Sequence, residues 1–157
     1  MGDTTLAPLS AARLLEMSPA QLDEAFAGGS AGVIPEGVGR GTAIAFPGTG
    51  VAKPLSRVLG LLFWQGKAFD PSRADLMNLV SPFGIRAVRA QVHRAPSWVD
   101  GKDCIVLDYS RSSRVAGWLR DEIREVAPGL YLGVVWGVGR VFGGRRRVLR
   151  FALTFGA

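Results

Sequence analysis

Ala95-Pro96-Ser97-Trp98-Val99-Asp100-Gly101-Lys102-Asp103-Cys104-Ile105-Val106-Leu107-Asp108-Tyr109 is the stretch on which the fold turns. Ile85 to Arg94 reads as a strand and runs into a cluster of turn formers. Within that cluster Asp100-Gly101 is a strong hairpin signal, since both residue types accept the backbone angles of a tight reversal. Cys104 to Tyr109 then reads as the returning strand. Strands joined by so short a loop run antiparallel, because a parallel crossover needs a longer connection.

Working outward toward the N-terminus, Asp75–Val80 and Trp64–Phe69 also read as strands. Ser81-Pro82-Phe83-Gly84 and Asp70-Pro71-Ser72 separate them. Arg40 to Phe46 alternates, with Thr42, Ile44 and Phe46 on one face, between the loop Ile34–Gly39 and the break Pro47-Gly48-Thr49-Gly50. Toward the C-terminus, Leu130–Val135 and Val148–Phe155 supply two more strands. In the last, Leu149, Phe151, Leu153 and Phe155 face one way, and Val148, Arg150, Ala152 and Thr154 the other. Turn residues recurring about every eight to twelve positions are what a meandering sheet or small barrel requires.

Three helices are expected. Ser18-Pro19-Ala20-Gln21 has the residues of a capped helix start, Leu22 and Phe26 share a face, and Gly28-Gly29 stops the run. Leu9 to Met17 adds a turn or two before it. Leu55, Val58, Leu59, Leu62 and Phe63 fall at helical spacing, which predicts a short helix near 54–63. Val115, Trp118, Leu119, Glu122, Ile123 and Val126 lie on one stripe, which predicts a longer helix near 113–126, ended by Pro128-Gly129. The expectation is an α+β chain of one domain over 1–157: a helical segment over 1–30, outside the sheet or closing one end, and a barrel-like antiparallel sheet over 40–157 with an inserted helix.

Composition limits the function. At 157 residues and 48% hydrophobic, the chain can build a full core without disulfides or metal. Its 21 glycines and 9 prolines favour many tight turns over a helical bundle. Cys104 is the only cysteine and His93 the only histidine, so an internal disulfide, a cysteine cluster and a paired-histidine zinc site are excluded. Met1 to Leu9 has neither a basic start nor a long apolar run, and Val58–Trp64 is too short to span a bilayer. A cytoplasmic protein without stable membrane insertion is expected. The formal charge of +6 includes the cluster Arg145-Arg146-Arg147, but no recognition-helix or RNA-binding aromatic motif accompanies it. Nucleic acid is therefore not the expected partner. The alternative use of that cluster is a basic interaction surface.

The polar residues that stand out are Asp108-Tyr109-Ser110-Arg111 and Arg120-Asp121-Glu122-Ile123-Arg124-Glu125. Glu122 falls on the apolar stripe, where a carboxylate must be paired or protonated. Arg111, Arg120 or an arginine of the sheet could pair with it. Asp108, Tyr109, Arg111, Glu122 and Tyr131 then make a polar cluster among apolar strands. The alternative is a salt-bridged helix, with Asp121, Arg124 and Glu125 as surface pairs. Trp64 opens a strand that also carries Lys67, and Arg150 lies on the last strand. A tryptophan under an arginine can seal a barrel end by cation–π attraction; otherwise Trp64 is core and Arg150 faces solvent. His93 and Cys104 read as structural, since no third group completes a nucleophilic pair. Ser97 lacks a nucleophile-elbow frame. The glycines at 37, 39 and 41 precede a strand and lack the spacing of a phosphate loop.

Gly41-Thr42-Ala43-Ile44 with Pro47-Gly48-Thr49, Trp64-Gln65-Gly66-Lys67-Ala68-Phe69-Asp70, Leu107-Asp108-Tyr109-Ser110, and the run from Arg120 to Gly133 together resemble a group of short bacterial proteins without an assigned activity. More loosely, Trp64, Arg150 and the strand count resemble lipocalin-like (calycin) barrels. That resemblance implies a strongly curved sheet or closed barrel of about seven to eight strands. It also implies a cavity for a hydrophobic ligand and, in some members, cyclase or isomerase activity. The leading expectation is binding of a small hydrophobic or amphipathic molecule with a polar or acidic end. Trp64, Lys67, Asp108, Tyr109, Arg111, Arg120, Glu122, Tyr131 and Arg150 are the candidate ligand-binding residues. The second is a cofactor-free isomerase, cyclase or lyase using Glu122 or Asp108 as acid/base. No cofactor or metal is expected, and a homodimer is compatible with either reading.

Overall fold

The computed structural model describes residues 8–47, 49–50, 52–54, 64–80, 85–112 and 117–156. Eight antiparallel strands follow one another around a closed barrel: β1 Gly37–Ile44, β2 Trp64–Asp70, β3 Asp75–Val80, β4 Ile85–Pro96, β5 Asp103–Asp108, β6 Leu119–Ala127, β7 Leu130–Gly139 and β8 Gly144–Thr154. β8 pairs with β1 from Arg40↔Thr154 to Ile44↔Arg150, so the sheet has no free edge. The β4–β5 hairpin closes where Asp100-Gly101 requires it. Gly101 has φ +76, and Ser97 N–H donates to the Lys102 carbonyl at 2.8 Å.

Two short helices, α1 Ala11–Glu16 and α2 Pro19–Gly28, lie on the outside of the barrel. α2 starts as its sequence dictates: Ser18 accepts from Gln21 N–H and the Gln21 side chain accepts from Ser18 N–H. Leu14, Leu15, Leu22 and Phe26 pack on Ile44, Leu132, Val134, Trp136 and Ala152, the outward residues of β1, β7 and β8. The inward residues make a separate core of Phe69, Leu76, Val92, Ile105, Leu107, Ile123, Tyr131, Phe151 and Leu153. β7 is thus covered on both faces, which explains its nearly continuous apolar run.

The region near 113–126 is not a long helix: residues 119–127 form β6, paired with β5 and β7, and residues 113–116 lie outside the described residues. Intrinsic helix propensity of this charged stretch yields to strand pairing on both sides. Residues 52–54 form a helical turn, and the rest of the helix expected near 54–63 lies outside the described residues. β1 begins earlier than its alternation suggested, at Gly37. β7 and β8 run on to Gly139 and Gly144 as a hairpin arm.

One end of the barrel is plugged by residues 30–36. Ser30 bridges Glu125, Ile34 packs into the interior, and the Tyr131 hydroxyl donates to the Val33 carbonyl at 2.7 Å. Phe155 stands edge-on to Phe69 and Tyr131 at 5.6 and 5.5 Å, filling the space above the plug. The interior is tight enough to demand glycine on the wall. A Cβ at Gly133 would sit 2.2 Å from the Phe151 ring, and one at Gly41 would sit 2.6 Å from Trp64. Gly133→Ala is therefore expected to destabilise the fold by about 1–3 kcal/mol through overpacking. Urea unfolding would show this as a lower midpoint at constant slope; an unchanged midpoint would mean that Phe151 has room to move.

Candidate functional site

At the end opposite the plug the interior holds a cavity of about 320 Å³. Trp64, Val80, Val88, Leu119, Val135, Leu149 and Phe151 wall it, and Lys67, Asn78, Tyr109 and Asp121 form its polar side. Strand geometry explains most of this set. Leu119, Asp121 and Ile123 alternate inward on β6, as do Leu76 and Asn78 on β3.

Trp64 and Lys67 are three residues apart, which in a regular strand places them on opposite faces. A bulge between Trp64 and Gly66 absorbs the odd residue, so both point inward. Gly66 makes it possible: its φ is +148, and a Cβ there would lie 2.0 Å from the Gly39 carbonyl oxygen. β4 carries a second irregularity opposite Met77 and Asn78, where Val88 has φ +56. That angle is costly for a β-branched residue. The strain has a consequence in the site, because the Val88 carbonyl accepts a hydrogen bond from Asn78 Nδ2 at 2.8 Å.

The polar side chains satisfy one another. Lys67 Nζ donates to Asn78 Oδ1 at 2.7 Å, to the Tyr109 hydroxyl at 2.7 Å and to Asp121 Oδ2 at 3.0 Å. Its three protons are thereby used. Asn78 Oδ1 also accepts from Trp64 Nε1 at 3.2 Å, and Asn78 Nδ2 donates to the Tyr109 oxygen at 3.0 Å. The Tyr109 hydroxyl donates to Asp121 Oδ2 at 3.2 Å. Both bonds to Asp121 fall on Oδ2; Oδ1 engages none of this quartet. The rings of Trp64, Tyr109 and Phe151 stand 5.3 to 5.4 Å from the ammonium, a favourable setting for a cation in an apolar wall.

Electrostatics hold Lys67 as an ammonium and Tyr109 as a neutral phenol. Burial opposes the Lys67 charge, but the Tyr109 oxygen and the Asp121 carboxylate outweigh it and raise its pKa above the usual lysine value. Burial, then the Asp121 charge, push the Tyr109 phenol up to about 12 despite the nearby Lys67. Tyr131, raised mainly by burial and by Glu125, shifts the same way. These are the only two tyrosines. A phenol whose folded pKa exceeds its unfolded value near 10 stabilises the fold fully below pH 10, and that contribution is lost as pH rises from about 10 to 12. Absorbance at 295 nm is therefore expected to show no tyrosine ionisation near pH 10 while circular dichroism remains native. A step near pH 10 in the folded protein would contradict the buried network.

The other sequence candidates lie elsewhere. Glu122 is fully buried, but on the outer face under the β4–β5 loop. It accepts from Ser97 Oγ at 2.5 Å, from Trp98 N–H at 2.8 Å and from Arg120 at 3.1 Å. Arg120 in turn stacks on Trp98 at 4.1 Å. Asp108 caps the turn after β5 by accepting from Ser110 N–H, and Arg111 lines an outer cleft with Arg73, Asp75 and Arg89. Tyr131 points inward at the plugged end. Arg150 does not cover Trp64; it faces outward and pairs with Asp23 of α2 at 2.9 Å, while Lys67 takes the place beside the tryptophan. Acid/base chemistry from Glu122 or Asp108 would thus act outside the cavity. Asn78 and Asp121 were not singled out for the site. The signal for Asp121 is its place between Leu119 and Ile123 once the stretch is read with period two.

Fold and site together define a class: a closed eight-stranded antiparallel barrel with a neutral, buried polar set beside an apolar chamber. Among the described residues no three His, Cys, Asp or Glu side chains converge as metal ligands, and no helix is long and apolar enough to cross a membrane. No family model matches the chain, and no curated protein matches it. A solved structure described as a protein from Thermomonospora curvata is similar in fold, with a TM-score of 0.55 and 19% identity over 90% of each chain.

Proposed function

We propose that the barrel takes up a small, largely apolar molecule carrying one polar group, with the apolar body against Trp64, Val135, Leu149 and Phe151 and the polar end toward Asp121. The observation that carries this is the placement of Lys67, Asn78, Tyr109 and Asp121 beside a chamber with otherwise apolar walls. Chambers of a few hundred Å³ with a few convergent polar groups are the usual form of small-molecule sites. The ion pair is neutral overall and the ammonium protons are in use, so an uncharged polar end fits better than a carboxylate, which would face Asp121. The reading extends to a cytoplasmic setting, where Cys104 stays a buried thiol; burial pushes it up to about 12.

N-phenyl-1-naphthylamine is an apolar fluorophore with a single N–H donor. Titrated into the protein, it is expected to brighten with one site per chain. Val135→Trp, which fills the chamber, is expected to weaken uptake about tenfold or more. Equal uptake by the two proteins would place the dye elsewhere and defeat the proposal.

A further inference from the structure

The apolar surface of this molecule is unevenly distributed. Eight large hydrophobic side chains are exposed among the described residues: Val33, Val38, Phe46, Ile85, Trp118, Val138, Val148 and Leu149. The last six sit at the chamber end. Phe46 follows the end of β1, Ile85 opens β4, Trp118 precedes β6, and the remaining three belong to the β7–β8 arm. Leu149 is shared, being both a wall of the chamber and 38% exposed.

The arm projects beyond its neighbours. β6 ends its pairing with β7 at Leu119↔Gly137, and β1 ends its pairing with β8 at Ile44↔Arg150. Beyond these points the ladder continues only between β7 and β8, out to Gly139↔Gly144, with one further backbone bond from Val138 N–H to the Trp118 carbonyl at 2.9 Å. Phe142 near the tip stacks on Trp118 with ring centroids 5.1 Å apart. Arg86, Arg140, Arg145, Arg146 and Arg147 are all exposed on the start of β4 and on the arm, and the stretches 85–86 and 138–149 contain no carboxylate. Arg145 lies 3.7 Å over the Trp98 ring and Arg147 pairs with Asp23, so both are held by the barrel side.

We propose that this end of the barrel docks on an anionic lipid surface, with the arginines at the headgroups and the aliphatic side chains at the acyl boundary. Interfacial surfaces combine these two features, apolar residues for the boundary and basic ones for the anionic headgroups. A nucleic acid would satisfy the arginines but give Phe46, Ile85, Val138, Val148 and Leu149 nothing to contact. Docking in this orientation would set the chamber mouth at the source of apolar molecules; that consequence, unlike the docking, rests on the ligand reading above.

The test is co-sedimentation with phosphatidylcholine vesicles, with and without phosphatidylglycerol. The protein is expected to pellet with the anionic vesicles only, and less as salt rises. Arg140→Glu with Arg146→Glu is expected to lower partitioning by about 25-fold or more, from roughly fivefold per surface arginine lost. Val138→Ser with Val148→Ser, which keeps every charge, is also expected to weaken it. Failure to pellet, equal pelleting with phosphatidylcholine alone, or binding of a single-stranded oligonucleotide without any binding of anionic vesicles would each overturn the docking. Uptake of N-phenyl-1-naphthylamine separates the two readings. Uptake without vesicle binding sinks the docking alone, and vesicle binding without uptake sinks the chamber alone.

Discussion

Lys67→Met is expected to cost about 3–5 kcal/mol of folding stability, because it removes one partner of a buried ion pair and leaves the other uncompensated. Lys67 and Asp121 are 4% and 5% exposed, so water cannot take over the carboxylate. Tyr109 and Asn78 lose a donor at the same time. The companion change is more telling. Lys67→Met with Asp121→Leu removes both charges and is expected to be more stable than the single variant, since a buried pair is often replaced by apolar groups at little cost. Urea unfolding of the three proteins checks the order. A single variant as stable as the wild type would mean that Asp121 is solvated or protonated, and the polar side of the chamber would be misdrawn.

Arg124→Met should be as damaging for a different reason. Arg124 is 1% exposed and ties three elements together on the outer face. Its guanidinium donates twice to Asp100, at 2.7 Å each, and to the carbonyls of Phe26, Lys102 and Asp103 at 3.1, 2.9 and 3.0 Å. It also lies 4.6 Å over the Phe26 ring. Methionine fills a similar volume and supplies none of these donors, so a loss of about 3–5 kcal/mol is expected. The pH dependence adds a check. Hydrogen bonds from Arg124 hold the Asp100 carboxyl down at about 2. A depressed carboxylate stabilises the fold above its ordinary pKa near 4 and loses that contribution as pH falls from about 4 to 2. The gap between wild type and Arg124→Met should narrow over that window; a constant gap would remove Asp100 from the account.

Where the polypeptide states its period plainly, the fold was legible. β2, β3, β4 and β5 alternate or end in Pro, Gly and Asp turns, and the Ser18 capping box sits where its residues require. β6 is opaque for a physical reason. Its outward residues Arg120, Glu122 and Arg124 are covered by the β4–β5 loop and α2, so polar groups are buried on a face where solvent would be expected. With charges on both faces, period two disappears and a helical stripe takes its place. The site was half legible. Trp64, Lys67 and Tyr109 stood out by type, but their convergence needs the bulge at Gly66, which the sequence marks only by a glycine. Asp121 and Glu122 exchanged roles because a strand alternates faces at every residue, whereas the helical reading put Glu122 on the buried stripe.

Crystals grown with N-phenyl-1-naphthylamine would show whether the space beside Lys67 takes up an apolar molecule. One dye molecule is expected in the chamber beside the edge-to-face pair of Trp64 and Phe151, its N–H toward Asp121 and its rings against Val135 and Leu149. Density for the dye only on the outer surface, with protein side chains filling the space beside Lys67, would contradict the chamber reading.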